Sequence, residues 1–496
     1  MRRAKKKQKI SSKEEESVST IIEGCNSDRL SGLPQPVIHL ILSFLPIKDA
    51  ARTTILSTKW KHVWCSMPYL DVDLKSTLPK NFPYGKPSKK HDRFINGISH
   101  IVSHRCEPIQ RFRIEGNLFH CQALVDLWIK GGITEVILSN NQYQGNLNKL
   151  YDVPFCLLSC NSLRLLELVN CKLLPPSNFK GFSNITTLKL KGCICDDKLL
   201  LDIASNSPFL ETLEICDRVL PPFSTFAEFC RVKYLYLRNC ELPKTFIQSI
   251  ATKSILLEHL SVDGCYGFQH LEVCLPNLVV LHVTSKVTIH IMNTPRLEEI
   301  KLSPNFSGLQ HQANYNWQLF KYDIFRGDAV RVKTLSLGSR VLMGLSSVGL
   351  FQFYNLSKLV VGVYPSGGME RNIVSKLLSR SPHLKILIID DDPIKYSYCY
   401  YESDSFWETE GPFDCLNGHL ETIHISLPRI YPLHEASTRH FYDTDFVKFL
   451  LVNSLVLKKM KISLAPIKYM KEEKNVIKRD LRQVEWASSQ LKLVIS

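Results

Sequence analysis

One pattern recurs through most of this chain and constrains its fold more than any other feature. An apolar residue is followed by a second three positions on, a third two beyond that, and Asn or Cys after another three, which reads LxxLxLxxN/C. Clear copies begin at Ile109, Ile133, Leu163, Ile185, Val232, Leu257 and Leu297, and looser ones at Leu210, Leu278, Val332, Leu356, Leu384, Leu420 and Leu457. Successive starts lie 19 to 37 residues apart. Apolar residues two positions apart point to one side of a short strand. A unit this short cannot bury that side alone, so neighbours must stack on one continuous core.

The pattern resembles the leucine-rich repeat, so the expected fold is multi-domain, its larger part an α/β solenoid of stacked parallel strands. The resemblance implies that the Asn/Cys side chain turns inward and bonds loop backbone. Cys171, Cys193, Cys240 and Cys265 are then structural. The 16 cysteines include no CxxC pair, and Cys193 with Cys195 lacks a second pair at zinc-finger spacing. Reduced thiols are expected, with no metal site and no cofactor.

Ahead of the repeats, Leu30 to Trp64 is dense in helix punctuation. Pro34 and Pro36 suit a first helical turn, and Pro46 stops the helix beyond Phe44. Asp49 is placed to cap a second helix through Leu56, and Ser57 a third through Trp64. The first helix carries Val37, Ile38, Leu40, Ile41, Leu42, Phe44 and Leu45, more apolar surface than one core-facing stripe requires. Trp60 and Trp64 lie one turn apart as further anchors.

Leu33-Pro34, Ile41-Leu42-Ser43, Leu45-Pro46, Asp49-Ala50, Leu56-Ser57 and Trp60 fall at the spacings of the F-box, and the ending resembles the plant form. The expected unit is a small all-α F-box of three helices. The resemblance implies docking to a Skp-type adaptor, which bridges to a cullin scaffold and a RING subunit. Leu33, Pro34, Ile38, Ile41, Leu42, Leu45, Leu56 and Trp60 would serve that interface or the packing beneath it. Pro36 stands where the family usually has an acid. Lys59 and Lys61 stand where plant members usually have Arg, exchanging a bidentate fork for a point charge. A three-helix cap sealing the solenoid is the other reading of this segment.

Residues 412–496 resemble the FBD segment that follows the repeats in many plant F-box proteins. The expected organisation is a charged tail over 1–27, the F-box over 28–70, a linker with capping elements over 71–108, the solenoid over 109–411 and FBD-like repeats with a cap over 412–496.

In this register the residues two, four and six after each first apolar position face the concave surface. In the middle repeats they are Thr187, Lys189, Lys191; Thr212, Glu214, Cys216; Tyr234, Tyr236, Arg238; His259, Ser261, Asp263; Val280, His282, Thr284; and Glu299, Lys301, Ser303. Strands ~4.8 Å apart would gather Tyr236, Arg238, His259 and His282 into one patch. Lys189, Tyr234 and Lys301 complete the candidate substrate-binding set, against the plainer reading of a solvated sheet face. Two insertions, one between Asn305 and Val332 and an aromatic one from Asp390 to Leu420 with Tyr396 to Trp407, are the other candidates. They either contact a partner or tuck onto the scaffold.

The formal net charge of +15 is concentrated in two places. Residues 1–13 and Lys458–Arg482 hold net excesses of seven and six, leaving the rest nearly neutral. A continuous phosphate-binding groove is therefore not expected, nor nucleic acid as a partner. No stretch of about 18 apolar residues occurs, so no membrane span is expected. Arg2-Arg3 through Lys9 resembles a nuclear-import cluster, and a solubilising tail is its other reading; nucleus, cytoplasm or both is the expected location. No GxGxxG, Walker loop, GxSxG or HExxH occurs, and His100 with His104 is read as helix surface.

The expected function is non-catalytic: the substrate-recognition subunit of a Skp-cullin-F-box ubiquitin ligase, holding an unknown protein substrate near a loaded enzyme. A sensor that binds a small anion through Lys189, Arg238 and Lys301, and an adaptor-independent scaffold, are the alternatives.

Overall fold

A computed structural model describes residues 30–73, 105–116, 132–141, 150–175, 179–217, 231–244, 254–303, 331–342, 352–390, 406–427, 444–464 and 470–496, apart from 106, 196, 340, 366–367 and 412, with scattered residues between. The basic cluster Arg2 to Lys9, the pair His100 and His104, most of the first insertion, and Tyr396 through Tyr401 of the second lie outside the described residues. The chain divides into two compact units, residues 1–182 and 183–496.

Among the described residues the first unit opens with three helices. Helix α1 (Gln35–Ser43) starts after Pro34 and ends at Phe44, as the prolines require. Helix α2 (Ile47–Arg52) is capped by Pro46 and not by Asp49. Pro46 already holds the extended backbone that precedes a helix, so Asp49 falls inside the first turn, where it pairs with Arg52 at 2.9 Å. A 3-10 turn, Thr53–Ile55, follows. Helix α3 (Thr58–Ser66) is capped as expected, Ser57 Oγ accepting from the Trp60 backbone N–H at 3.3 Å.

Four parallel strands come next: β1 (Tyr69–Asp73), β2 (Arg111–Gly116), β3 (Glu135–Asn140) and β5 (Leu165–Val169). A small parallel pair, β4 (Tyr151–Asp152) with β6 (Cys171–Lys172), lies beside them in the chain.

Among the described residues the second unit is built on twelve parallel strands: β7 (Thr187–Lys191), β8 (Thr212–Cys216), β9 (Tyr234–Arg238), β10 (His259–Asp263), β12 (Val280–Val283), β14 (Glu299–Leu302), β16 (Thr334–Gly338), β17 (Lys358–Gly362), β18 (Ile386–Ile389), β19 (Thr422–Leu427), β20 (Lys459–Leu464) and β21 (Lys492–Ile495). A second ladder joins β11 (His270–Val273), β13 (Thr288–Ile291) and β15 (Tyr322–Asp323). Return segments include helices Asp197–Asn206, Gly368–Ser379, Asp445–Asn453 and Met470–Leu481.

All fourteen repeat starts lie two residues before a strand, and each first apolar residue is buried. Leu260, Leu281 and Ile300 pair in register with one another at the same position of successive strands, so the apolar rows form one stacked core. Strands β1 and β21 follow the same rule from Met67 and Gln490, where Met and Gln replace the expected Leu. Those substitutions hid both. Strand β1 runs across residue 71, from the end of the expected F-box into the expected linker and capping elements.

The interior cysteines follow the repeat. Cys171 Sγ donates to Val169 O at 3.3 Å, Cys193 to Lys191 O at 3.4 Å, Cys240 to Arg238 O at 3.2 Å and Cys265 to Asp263 O at 3.5 Å, and all four thiols are buried. Each follows a residue in the left-handed region, Asn170, Gly192, Asn239 or Gly264, with φ of 54°, 57°, 51° and 60°. That conformation swings the chain out of the strand and turns the next side chain inward. Asn and Gly adopt it at least cost.

Candidate functional site

The F-box-like helices leave several large apolar side chains exposed around a buried set. Ile38, Leu42 and Trp60 are interior, with Trp64 and Val63 packed among them. Trp60 Nε1 donates to Ser31 Oγ at 3.0 Å, and Lys59 Nζ reaches the carbonyls of Ser31 and, at 3.1 Å, Leu33. Lys59 thus fastens the segment before α1, while Lys61 is exposed. Of the remaining residues expected at an adaptor interface, Leu33 and Ile41 are half-buried, and Pro34, Leu45 and Leu56 are exposed.

Phe44, Ile55 and Leu40, outside that set, are open as well. Phe44 is 80% exposed and Ile55 85%, with Leu40 at 57% and Leu56 at 64%. Phe44 caps α1 and Ile55 ends the 3-10 turn, so neither can reach the core of its own element. Phe44 was visible in the sequence as surplus apolar surface on the first helix; Ile55 required the position of the turn. Solvated aromatic and branched side chains of this size lose about 1.5–3 kcal/mol each by remaining uncovered.

The sheet face of the second unit carries the other candidate set. The rings of Tyr236 and His259 meet at a 44° tilt, 4.7 Å between centroids, and His259 meets His282 edge-on at 5.2 Å. His282 Nε2 lies 2.8 Å from Glu299 Oε1. These four residues zigzag across β9, β10, β12 and β14, as the register dictates. Burial, with the neighbouring His282, lowers the His259 pKa, and burial raises that of Tyr236. His259 Nε2 is buried without a hydrogen-bond partner.

Arg238 joins the patch through Asp263, Nε to Oδ2 at 3.0 Å, and Lys189 pairs with Glu214 at 3.7 Å. Tyr234 is exposed and its hydroxyl donates to Glu258 at 3.4 Å. Lys301 is exposed and lies in register between His282 and Ser336. Two of the three cations considered for anion binding therefore already hold an acid. The patch is aromatic and nearly charge-balanced, chemistry suited to ring and amide contacts.

Cys216 departs from its expected place on the open face. It is 1% exposed, a short side chain in register between Lys191 and Arg238, and burial followed by nearby Glu214 pushes its thiol up to about 12. In the second insertion Trp407 is buried against Phe446 and Phe449, at ring separations of 4.6 and 5.1 Å. It tucks onto the scaffold. Among the described residues no group of three or more His, Cys, Asp or Glu could hold a metal ion, and no helix is long and apolar enough to cross a membrane.

Comparison with known proteins places named families on these segments. Residues 30–71 match the F-box domain, 103–221 the leucine-rich-repeat domain described for At1g61320/AtMIF1, and 408–462 the FBD family. The chain is 25% identical over 460 residues to the Arabidopsis thaliana F-box/FBD/LRR-repeat protein At1g13570, covering 89% of this chain and 92% of that relative. It is 28% identical over 194 residues to F-box/FBD/LRR-repeat protein At5g56420 of the same plant, 38% of this chain and 43% of the relative. Over 144 residues it is 31% identical to the putative F-box/LRR-repeat protein At5g41840, also from Arabidopsis thaliana, which is 27% of this chain and 26% of the relative.

Proposed function

We propose, for a chain that is a plant F-box/FBD/leucine-rich-repeat protein, that it works as the substrate-recognition subunit of a Skp-cullin-F-box ubiquitin ligase. F-box/LRR proteins are generally subunits of this kind and typically non-catalytic. The observation that carries the reading here is the exposure of Leu40, Phe44, Ile55 and Leu56 on helices whose own core is already filled by Ile38, Leu42 and Trp60. A unit of about 40 residues that leaves such groups in water is completed by a partner.

In this reading Pro34, Leu45 and Leu56, with Phe44 and Ile55 beside them in the chain, meet the Skp-type adaptor. Ile38, Leu42 and Trp60 hold the helices that present them, and Leu33 and Ile41 lie between the two groups. The sheet face around Tyr236, His259 and His282, flanked by Lys189, Tyr234, Arg238 and Lys301, receives a segment of the substrate. No bond is made or broken by this chain; the gain is the effective concentration of substrate near the loaded enzyme. The basic run Arg2 to Lys9 directs the protein to the nucleus, and a fluorescent fusion lacking residues 1–13 that keeps its nuclear content would overturn that part.

The receptor reading is tested by co-expressing the chain with a Skp-type adaptor and separating the products by size-exclusion chromatography. A stoichiometric complex is expected. Separate elution of two folded proteins would overturn it.

A further inference from the structure

The sheet face changes character toward its C-terminal strands. Across β7 to β14 Lys189 and Arg238 each stand beside an acid on the neighbouring strand and His282 Nε2 lies 2.8 Å from Glu299 Oε1, while Lys301 forms no ion pair among the described residues. On β20 and β21 the arrangement reverses. Lys459 lies in register with Lys492, and Lys461 lies between His424 and Val494. Among the described residues none of these three lysines forms an ion pair, although Lys458, one residue away, pairs with Glu421 at 3.0 Å. Asp390, the residue after β18, accepts from Ser426 Oγ at 3.3 Å.

Like charges directly opposed on neighbouring strands destabilise a sheet. Among the described residues no acid pairs with these lysines to offset that cost. His424 cannot compensate: burial and adjacent Lys461 lower its pKa, and its Nε2 sits 3.0 Å from Ser463 Oγ. On the same face Ile386 and Ile388 lie two strands before β20 and Val360 three, each half-buried, with Lys358 in register beside Ile386. The face therefore offers an apolar strip and a cationic strip side by side.

We propose that Lys459, Lys461 and Lys492, together with Ile386 and Ile388, bind an extended segment of a partner protein in which an apolar side chain and a carboxylate lie about three residues apart. Strands β18 and β20 are two spacings apart, ~9.6 Å, and an extended chain advances ~3.3 Å per residue. A segment crossing the strands thus sets its apolar residue over Ile386 and Ile388 and its acid over the lysines. Lysine ammoniums suit carboxylates as point charges. This deepens the receptor reading, on which it rests for taking the ligand to be a protein segment.

The test is fluorescence anisotropy on the full chain with a labelled peptide of alternating Leu and Glu three positions apart, and with its Gln counterpart. The acidic peptide is expected to bind, to weaken as salt rises, and to lose at least about tenfold in affinity for the Lys459→Glu, Lys461→Glu double variant, the loss of two to three exposed charge pairs. A peptide with Lys in place of Glu should in turn prefer that variant, which separates lost recognition from lost folding. Equal binding of the acidic and Gln peptides, or of wild type and double variant, would overturn the proposal. Adaptor recovery is measured on the same preparations: peptide binding that persists without adaptor binding supports this site while removing the receptor reading, and the converse overturns this site alone.

Discussion

Asn239 Nδ2 donates to Asp217 Oδ1 at 3.0 Å, joining two residues that hold the same left-handed position in successive repeats. The backbone N–H of each donates to the last residue of the following strand, Asp217 to Arg238 O at 2.8 Å and Asn239 to Asp263 O at 2.7 Å. Asn239→Ala places a Cβ residue with no side-chain partner at φ 51° and removes the lateral bond. We expect a loss of about 1–3 kcal/mol, and a smaller one for Asn239→Gly, in urea unfolding. An unchanged midpoint for the Ala variant would show that the ladder contributes nothing.

The buried cysteines are expected to be inert. Burial pushes the Cys415 thiol up to about 12, as it does Cys216, and hydrogen bonding with Cys240 together with burial raises Cys265. The thiolate is the reacting form. Iodoacetamide at pH 8 on the native protein should therefore label Cys65, Cys156, Cys160 and Cys274, which are part-exposed, and spare Cys171, Cys193, Cys216, Cys240, Cys265 and Cys415. Rapid labelling of Cys240 or Cys265 detected by mass spectrometry would contradict the burial described.

Acid should weaken the fold through His259. Its folded pKa lies below the ordinary imidazole value of about 6.5. A base of this kind binds fewer protons folded than unfolded, so its contribution is complete above that value and is lost as pH falls through it toward the lowered one. His39 and His424 act in the same direction. Denaturation midpoints should drop from pH 7 to pH 5, and His259→Gln should flatten the slope by up to one proton. A slope identical in the variant would remove His259 from the account.

The opposed lysines at the last two strands give a stability prediction independent of any ligand. Lys492→Glu converts the pair with Lys459 from like to opposite charge. It should raise stability by about 0.2–1 kcal/mol, and high salt should erase the gain. A destabilised Lys492→Glu variant at low salt would show that the two ammoniums do not face each other.

Much of this was legible in the sequence, and the failures have physical reasons. The apolar rows have a strict register because a one-residue slip would carry Leu235 and Leu237 to the face held by Tyr236, so fourteen strand starts followed from spacing alone. Met67 and Gln490 concealed two further strands because the first position of an outer repeat tolerates residues that the interior ones do not. The aromatic zigzag from Tyr236 to His282 also followed from register. The partners Asp263 and Glu299 were visible on the same face, yet side-chain pairing has no periodic signature. On the F-box helices, composition counted the surplus apolar groups but could not divide Leu42, at 0% exposed, from Phe44 at 80%. Only the direction of each side chain does that.

That division sets the most direct measurement of the account. Phe44→Asp with Leu56→Asp changes the surface and leaves the interior intact, whereas changing Leu42 would test folding. Titrating a Skp-type adaptor onto immobilised full-length protein by surface plasmon resonance, with thermal unfolding recorded in parallel, should show wild-type binding and a loss of at least about 100-fold for the pair at unchanged melting temperature. Equal affinity of the two proteins would contradict adaptor docking through this surface, and with it the receptor function.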